Sequence, residues 1–318
     1  MPSPRLSRAR RLLATALGST ALAALLPLAT AGSAAAAAPI CSAPANHAAL
    51  AAKLSRDIRS ALSGRGDEVG VSVYDQNTGV FCTYNAYSHF DSASVVKAAI
   101  MGTVLRRAQE QHRGLTAWET SNLKAMITHS DNTAASNLWA SVGRTRFQAF
   151  LNLAQMHSTY PGPGGYWGLT QITARDEVHL LDAFTDHHDV LNTTWRAYAL
   201  KLMSEVTPSQ RWGVPYGAPG GTLVSNKNGW LPRATHGWRV HSIGTVTGNG
   251  RDYRLAVLTQ NNGTMGYGEI TIERVAVAVH RDLGGSTARY PAAAATPRSA
   301  DVPALSDGSA PFGPVLGQ

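Results

Sequence analysis

Only five lysines occur in this chain (Lys53, Lys97, Lys124, Lys201 and Lys227), and one of them interrupts an apolar run. The stretch Asp91-Ser92-Ala93-Ser94-Val95-Val96-Lys97-Ala98-Ala99-Ile100-Met101 reads as the start of a buried helix. It sets a hydroxyl and an amine three residues apart. Positions i and i+3 share a helix face, so Ser94 and Lys97 can touch. An ammonium among apolar side chains has its pKa lowered, and the neutral amine can then take the serine proton. The expectation is a buried helix whose first turn can carry chemistry. Alone, Ser-x-x-Lys reads as an N-terminal helix serine beside an unrelated surface lysine.

The two ends of the chain look dispensable for folding. Residues 1–40 open with Arg5, Arg8, Arg10 and Arg11, run through an apolar stretch from Leu12 to Leu28, and reach the alanines 34–38. That order is a secretory signal with a cleavage site near the alanines, which leaves no membrane span after processing and places the protein outside the cell. Ile40 ahead of Cys41 argues against lipid attachment. Removing 1–40 takes four arginines and no acid, so the formal charge falls from +8 to +4. No basic cluster with interleaved aromatics remains, and nucleic acid is discounted as a partner. Cys41 and Cys82 both lie in the exported part, where one disulfide between them is the simplest expectation and two free thiols the alternative. The bond would pin the mature N-terminus to an early strand. Residues 287–318 are rich in Pro, Ala and Ser and read as a disordered tail. Residues 41–286 remain as one large domain.

Within it, Asn46 to Leu62 has apolar positions four apart and reads as an amphipathic helix. Val69 to Asp75 and Val80 to Tyr84 read as strands joined by a turn. The Ser94 helix runs to about Gln111. Further helices are expected over 121–127, 133–142, 147–155 and 173–184, with a loop at 204–222. Strands follow at 222–228, 238–246 and 253–259, and a last helix covers 268–279. Strands at both ends with helices between imply an antiparallel sheet assembled from the two termini, with a helical lobe inserted.

Two more short motifs follow the first. Ser130-Asp131-Asn132 by itself is a helix N-cap, with Asp131 or Ser130 capping a helix from Thr133. Lys227-Asn228-Gly229 by itself is a strand-ending turn with a solvated lysine. Three such elements in this order, each in suitable local structure, resemble the penicilloyl serine transferases and among them the class A β-lactamases. The resemblance spans roughly Val69 to Val279, with Met126-Ile127-Thr128-His129 and Thr173-Ala174-Arg175-Asp176 as supporting context. It implies an α+β fold: an antiparallel β-sheet flanked by helices, a helical lobe, and a site between them.

The resemblance also implies roles. Ser94 attacks an amide or lactam carbonyl, Lys97 is its base, and Ser130 relays a proton to the leaving nitrogen. Asn132 offers its amide to the substrate, and Lys227 attracts a substrate carboxylate. Asn228 hydrogen-bonds that carboxylate, and Gly229 admits the substrate backbone. The backbone N–H groups of Ser94 and Trp230 form an oxyanion hole.

Three departures stand out. Asn228 replaces the family's usual Thr or Ser. Ser130 follows Ser94 by only 36 residues, so the helical lobe is trimmed. No Asp or Glu lies between Asp131 and Asp176, where the family keeps the loop glutamate that activates water. The corresponding stretch, Tyr160 to Gly168, is glycine-rich and acid-free. Glu177 lies beyond it in the next helix, and His157 reads as a partly buried helix-end residue. The expectation is a secreted, monomeric serine hydrolase that is acylated by a β-lactam, a D-alanyl peptide or a related amide or ester, and releases β-lactam products poorly. A peptidoglycan D,D-carboxypeptidase or esterase is the first rival. A non-catalytic module binding cell-wall peptides is the second. No cofactor is implied. Asp186-His187-His188-Asp189 has no third ligand at metal spacing, so no metal is expected either.

Overall fold

Val69, Val71 and Val73 alternate along β2 (Glu68–Asp75) and turn one valine face to a helical layer. In the computed structural model, which describes residues 38–186 and 189–290, that layer is α1 (Ala48–Leu62) and α7 (Met265–Gly284). The valines bury against Leu54 and Ile58 of α1 and Ile272, Val275 and Val279 of α7. Each such fully buried side chain contributes about 1.5–3 kcal/mol. The predicted export signal, apart from residues 38–40, lies outside the described residues, as do His187, His188 and the tail beyond 290.

The sheet is antiparallel throughout. Its order is β1 (Cys41–Ser42), β3 (Phe81–Tyr84), β2, β8 (Arg251–Asn262), β7 (Trp238–Gly248) and β6 (Leu223–Pro232). Early and late strands meet at the β2–β8 pair, as expected of a sheet closed by both ends of the chain. Cys41 and Cys82 face each other across β1 and β3 and are joined by a disulfide. That bond sits at the edge of the sheet remote from β6.

On the other face lie α5 (Ala174–Thr185) and the inserted lobe. The lobe comprises α2 (Lys97–Glu110), α3 (Ala117–Thr128) and α4 (Asn132–Leu153). Helix α3 starts on a capping box between Thr116 and Glu119. Arg113 and Arg107 hold the Glu119 carboxyl down to about 2. Gly102 lets α2 approach α4, since a Cβ there would fall 2.2 Å from the Phe150 ring. The sequence predicts two helices over 133–142 and 147–155. The structure carries one element across both, broken at Gly143, whose φ of 70° and ψ of 159° are non-helical.

One helix was not anticipated. Helix α6 (Thr193–Ser204) starts on an Asn192 cap and packs against β6. Its buried face includes Arg196, which donates to the Thr185 carbonyl, so its apolar periodicity is diluted. Among the described residues, no helix is long and apolar enough to cross a membrane.

Candidate active site

Ser94 lies in a 3-10 turn, Ala93–Val96, that runs directly into α2. In such a turn the side chains at i and i+3 eclipse, so Ser94 and Lys97 align even before the α-helix begins. The turn is anchored from several directions. Asp91, ending β4 (Phe90–Asp91), pairs with Arg239 at 2.8 Å and accepts from the Gln171 amide at 2.7 Å. The Ser92 N–H donates to Thr170 O at 2.9 Å. His241 holds the Asp91 carbonyl at 2.9 Å. Its Nδ1 accepts from the Thr259 N–H, so Nε2 carries the proton. Burial keeps that imidazole neutral by lowering its pKa to about 4. Ala93, immediately before the serine, is left-handed at φ 47°, a conformation costing about 1 kcal/mol or more for a residue with a Cβ.

Lys97 is fully buried, and its ammonium has well-placed acceptors. Nζ donates to Ser130 O at 2.6 Å, Ser130 Oγ at 3.1 Å and Asn132 Oδ1 at 2.6 Å. Ser130 is presented by a left-handed backbone, φ 59°, just before α4. Asp131 between them caps α4, accepting from Ala134 N–H at 2.7 Å. The cap reading and the site reading of Ser130-Asp131-Asn132 thus hold together, on alternate residues of one motif.

Lys227, also fully buried, reaches the same hydroxyl from β6. Its Nζ lies 3.1 Å from Ser130 Oγ and 2.8 Å from Asn228 O. Burial, and then the charge of Lys97, hold Lys227 well below the ordinary lysine range. A neutral amine keeps two N–H groups, which suffice for both contacts. Gly229 brings β6 against the turn: a Cβ there would stand 2.8 Å from the backbone nitrogens of Ser94 and Val95.

The structure therefore brings Ser94, Lys97, Ser130, Asn132, Lys227 and Gly229 together. It turns Asn228 and Trp230 away. Side chains alternate along β6, so Asn226, Asn228 and Trp230 share the face opposite Lys227. The Asn228 amide donates to the carbonyls of Gln210 and Trp212, both at 3.0 Å, instead of standing ready for a substrate carboxylate. The Trp230 ring lies 6.1 Å from that of Trp212, leaving only its backbone for an oxyanion.

Two residues with acid–base side chains, Glu177 and His157, lie near the glutamate-free loop in sequence. Glu177 is fully buried on α5, without a hydrogen-bond partner for either oxygen, and burial beside Asp176 pushes it well above the carboxylate range. Burial thus favours its protonated form. His157, expected to be partly buried, is exposed in the turn after α4. Asp186 is engaged with buried Arg254, and among the described residues no three acidic, His or Cys side chains are arranged for a metal.

Sequence reasoning missed Trp167. The loop is closed by reciprocal bonds between Tyr160 and Gln171, each 2.9 Å, and directs the indole inward, 1% exposed. The Lys97 ammonium lies 4.8 Å from its ring centroid. A bulky aromatic among glycines was the available signal.

The comparisons with known proteins agree with this architecture. A family profile described as "Beta-lactamase enzyme family" matches residues 53–120 and 115–283. "Putative lipoprotein LppW" of Mycobacterium tuberculosis and Mycobacterium bovis is 25% identical over 212 residues, covering 64% of this chain and 66% of those proteins. In fold, the chain is similar to the beta-lactamase from Sphaerobacter thermophilus (TM-score 0.62, 19% identity, 73% of this chain and 97% of that one). It is also similar to TLA-3 extended-spectrum beta-lactamase (0.64, 19%, 71% and 96%) and to PBP-A (0.62, 18%, 73% and 96%).

Proposed function

The chain belongs to the beta-lactamase enzyme family, and from that membership we propose an exported serine hydrolase acylated at Ser94. Its substrate is a β-lactam, a D-alanyl peptide or a related amide or ester, and β-lactam-derived acyl groups leave slowly. The observation that carries this reading is Ser130 Oγ standing 3.1 Å from both Lys97 Nζ and Lys227 Nζ. With both amines donating, the two lone pairs of that oxygen are filled, and its proton is left for a substrate nitrogen.

The acylation step follows. Ser94 Oγ attacks the carbonyl carbon while its proton passes to Lys97, which accepts it as the neutral amine, its lone pair toward Ser94 and two N–H groups kept for Ser130 and Asn132. The carbonyl oxygen becomes an oxyanion at the backbone N–H groups of Ser94 and Trp230, each donor being worth about 3 kcal/mol. The C–N bond then breaks, Ser130 gives its proton to the departing nitrogen, and Lys97 returns one to Ser130. Hydrolysis of the resulting ester needs a base for water. Glu177, fully buried on α5 and pushed toward its protonated form, is poorly suited to be that base.

Intact-mass measurement after exposure to benzylpenicillin tests the reading. The wild type gains one acyl group and Ser94→Ala gains none. A folded wild type that no acylating probe labels would sink the proposal and favour a peptide-binding module. Fast steady turnover of a coloured cephalosporin would overturn slow release. Liberation of D-alanine from a D-alanyl-D-alanine peptide would identify the carboxypeptidase form of the same chemistry.

A further inference from the structure

We propose that Trp167 sets the lifetime of the acyl-enzyme by walling off the ester from the loop side, so that release is blocked sterically as well as for want of a base. The inference rests on the acylation at Ser94 proposed above.

Four observations carry it. The indole is 1% exposed and stands over the Lys97 ammonium, the group three residues from the nucleophile. Its Nε1 donates to Ser136 Oγ on α4 at 3.1 Å, which pins the ring to the lobe that also carries Ser130 and Asn132. The backbone that follows it lies against the nucleophile turn, because the single hydroxyl proton of Ser92 has the carbonyls of Ala93, Gly168 and Trp167 within reach at 3.2, 3.3 and 3.4 Å. Beyond it, Leu169 packs with Ala93 and Leu231 in a closed apolar cluster that flanks Ser94 in sequence and β6 in space. The wall is thus fastened to three elements, and Ser94 itself is only 7% exposed. Gly162 makes the tight loop possible, since a Cβ there would fall 2.1 Å from Tyr166 O.

Release by water forms a bond from its oxygen to the ester carbon, breaks the bond from that carbon to Ser94 Oγ, and returns one proton to the serine. A missing base slows that step for water alone. A wall slows it for any nucleophile. Hydroxylamine separates the two, because its nitrogen attacks the ester carbon without a protein base, giving a hydroxamate and free Ser94.

The test follows the benzylpenicillin adduct of the mature protein by intact mass, with and without hydroxylamine. For the wild type, hydroxylamine leaves the adduct lifetime within about twofold of that in buffer; in Trp167→Ala it shortens the lifetime at least about tenfold. Trp167→Phe keeps a ring but loses the Ser136 bond and part of the cation–π attraction. Its adduct is expected to be cleared by hydroxylamine faster than that of the wild type and more slowly than that of Trp167→Ala. Rapid clearance of the wild-type adduct by hydroxylamine overturns the wall whatever the variants do. Unchanged hydroxylamine resistance in a folded Trp167→Ala overturns it as well. A wild type that forms no adduct instead overturns the acylation reading.

Discussion

Lys97 stands between two unlike surroundings. Toward α4 and β6 it meets an alcohol, a carbonyl and a side-chain amide, with a second amine beyond the alcohol. Toward the loop 160–172 it meets an indole that belongs to the main apolar core. On the acylation proposed above, the first side passes protons between Ser94 and a leaving nitrogen, while the loop 160–172 on the second side carries no Asp or Glu. Forming the ester and releasing it would then draw on opposite sides of Lys97.

The most severe way to break the polar side is Lys97→Met, which keeps the bulk but removes the base. Adduct formation with benzylpenicillin slows by about 10²–10⁴, and the lifetime of any adduct formed stays the same. An unchanged acylation rate would move the base elsewhere. Next comes a control at the far edge of the sheet. Replacing Cys41 and Cys82 by serine frees a loop with a sequence separation of 41 and lowers stability by about 4 kcal/mol, read as a fall in Tm. Acylation measured well below that Tm should match the wild type, since β1 and β6 are opposite edges. A parallel loss of acylation would show that the sheet transmits strain to the site.

The polar side was legible in the sequence because its groups sit at fixed short spacings. Ser-x-x-Lys survives the change from α-helix to 3-10 turn, and Ser130-Asp131-Asn132 encodes a cap and two site groups at once. Strand β2 was legible from valines at period two, and the antiparallel sheet from strands at both ends of the domain with helices between. Three things were not. Trp167 touches Lys97 across a loop closure that no spacing records. Helix α6 hides its periodicity because a buried arginine occupies its inner face. Asn228 was assigned to the substrate by the family's pattern, although alternation along β6 puts it opposite Lys227.

A smaller effect probes the anchor shared by both walls. His241 bonds the carbonyl of Asp91, whose carboxylate is held by Arg239 from the sheet and Gln171 from the loop. Its folded pKa of about 4 lies below the ordinary 6.5, so between those values the unfolded chain takes up a proton that the folded one refuses. Stability is therefore intact above pH 6.5 and falls as pH drops toward 4, by about 3 kcal/mol at the limit. His280, lowered to about 4 by burial, acts in the same direction. In Tm-against-pH curves, His241→Gln should remove about half of the histidine-dependent slope. A slope identical to wild type would show that His241 does not titrate with unfolding.

The mildest change is also the sharpest for the assignment of the pocket's edge. Asn228→Thr installs the residue usual in the family, but its hydroxyl has one proton and a shorter reach. The Trp212 carbonyl loses its donor and the Gln210 carbonyl keeps only Asn226 Nδ2, costing about 1–2 kcal/mol, or about 2–8 °C in Tm for a domain of this size. The loop they belong to also ties to the residues before Ser130, through Gln210 Nε2 to His129 O at 3.2 Å and Thr207 N–H to Thr128 O at 2.9 Å. Acylation should therefore change less than about threefold, because Ser130 is also held by Lys97 and Lys227. If Tm is instead unchanged and acylation shifts more than about tenfold, Asn228 swings toward the substrate as the family pattern implies. That edge of the pocket would then be set by the ligand and not by the resting hydrogen bonds of β6.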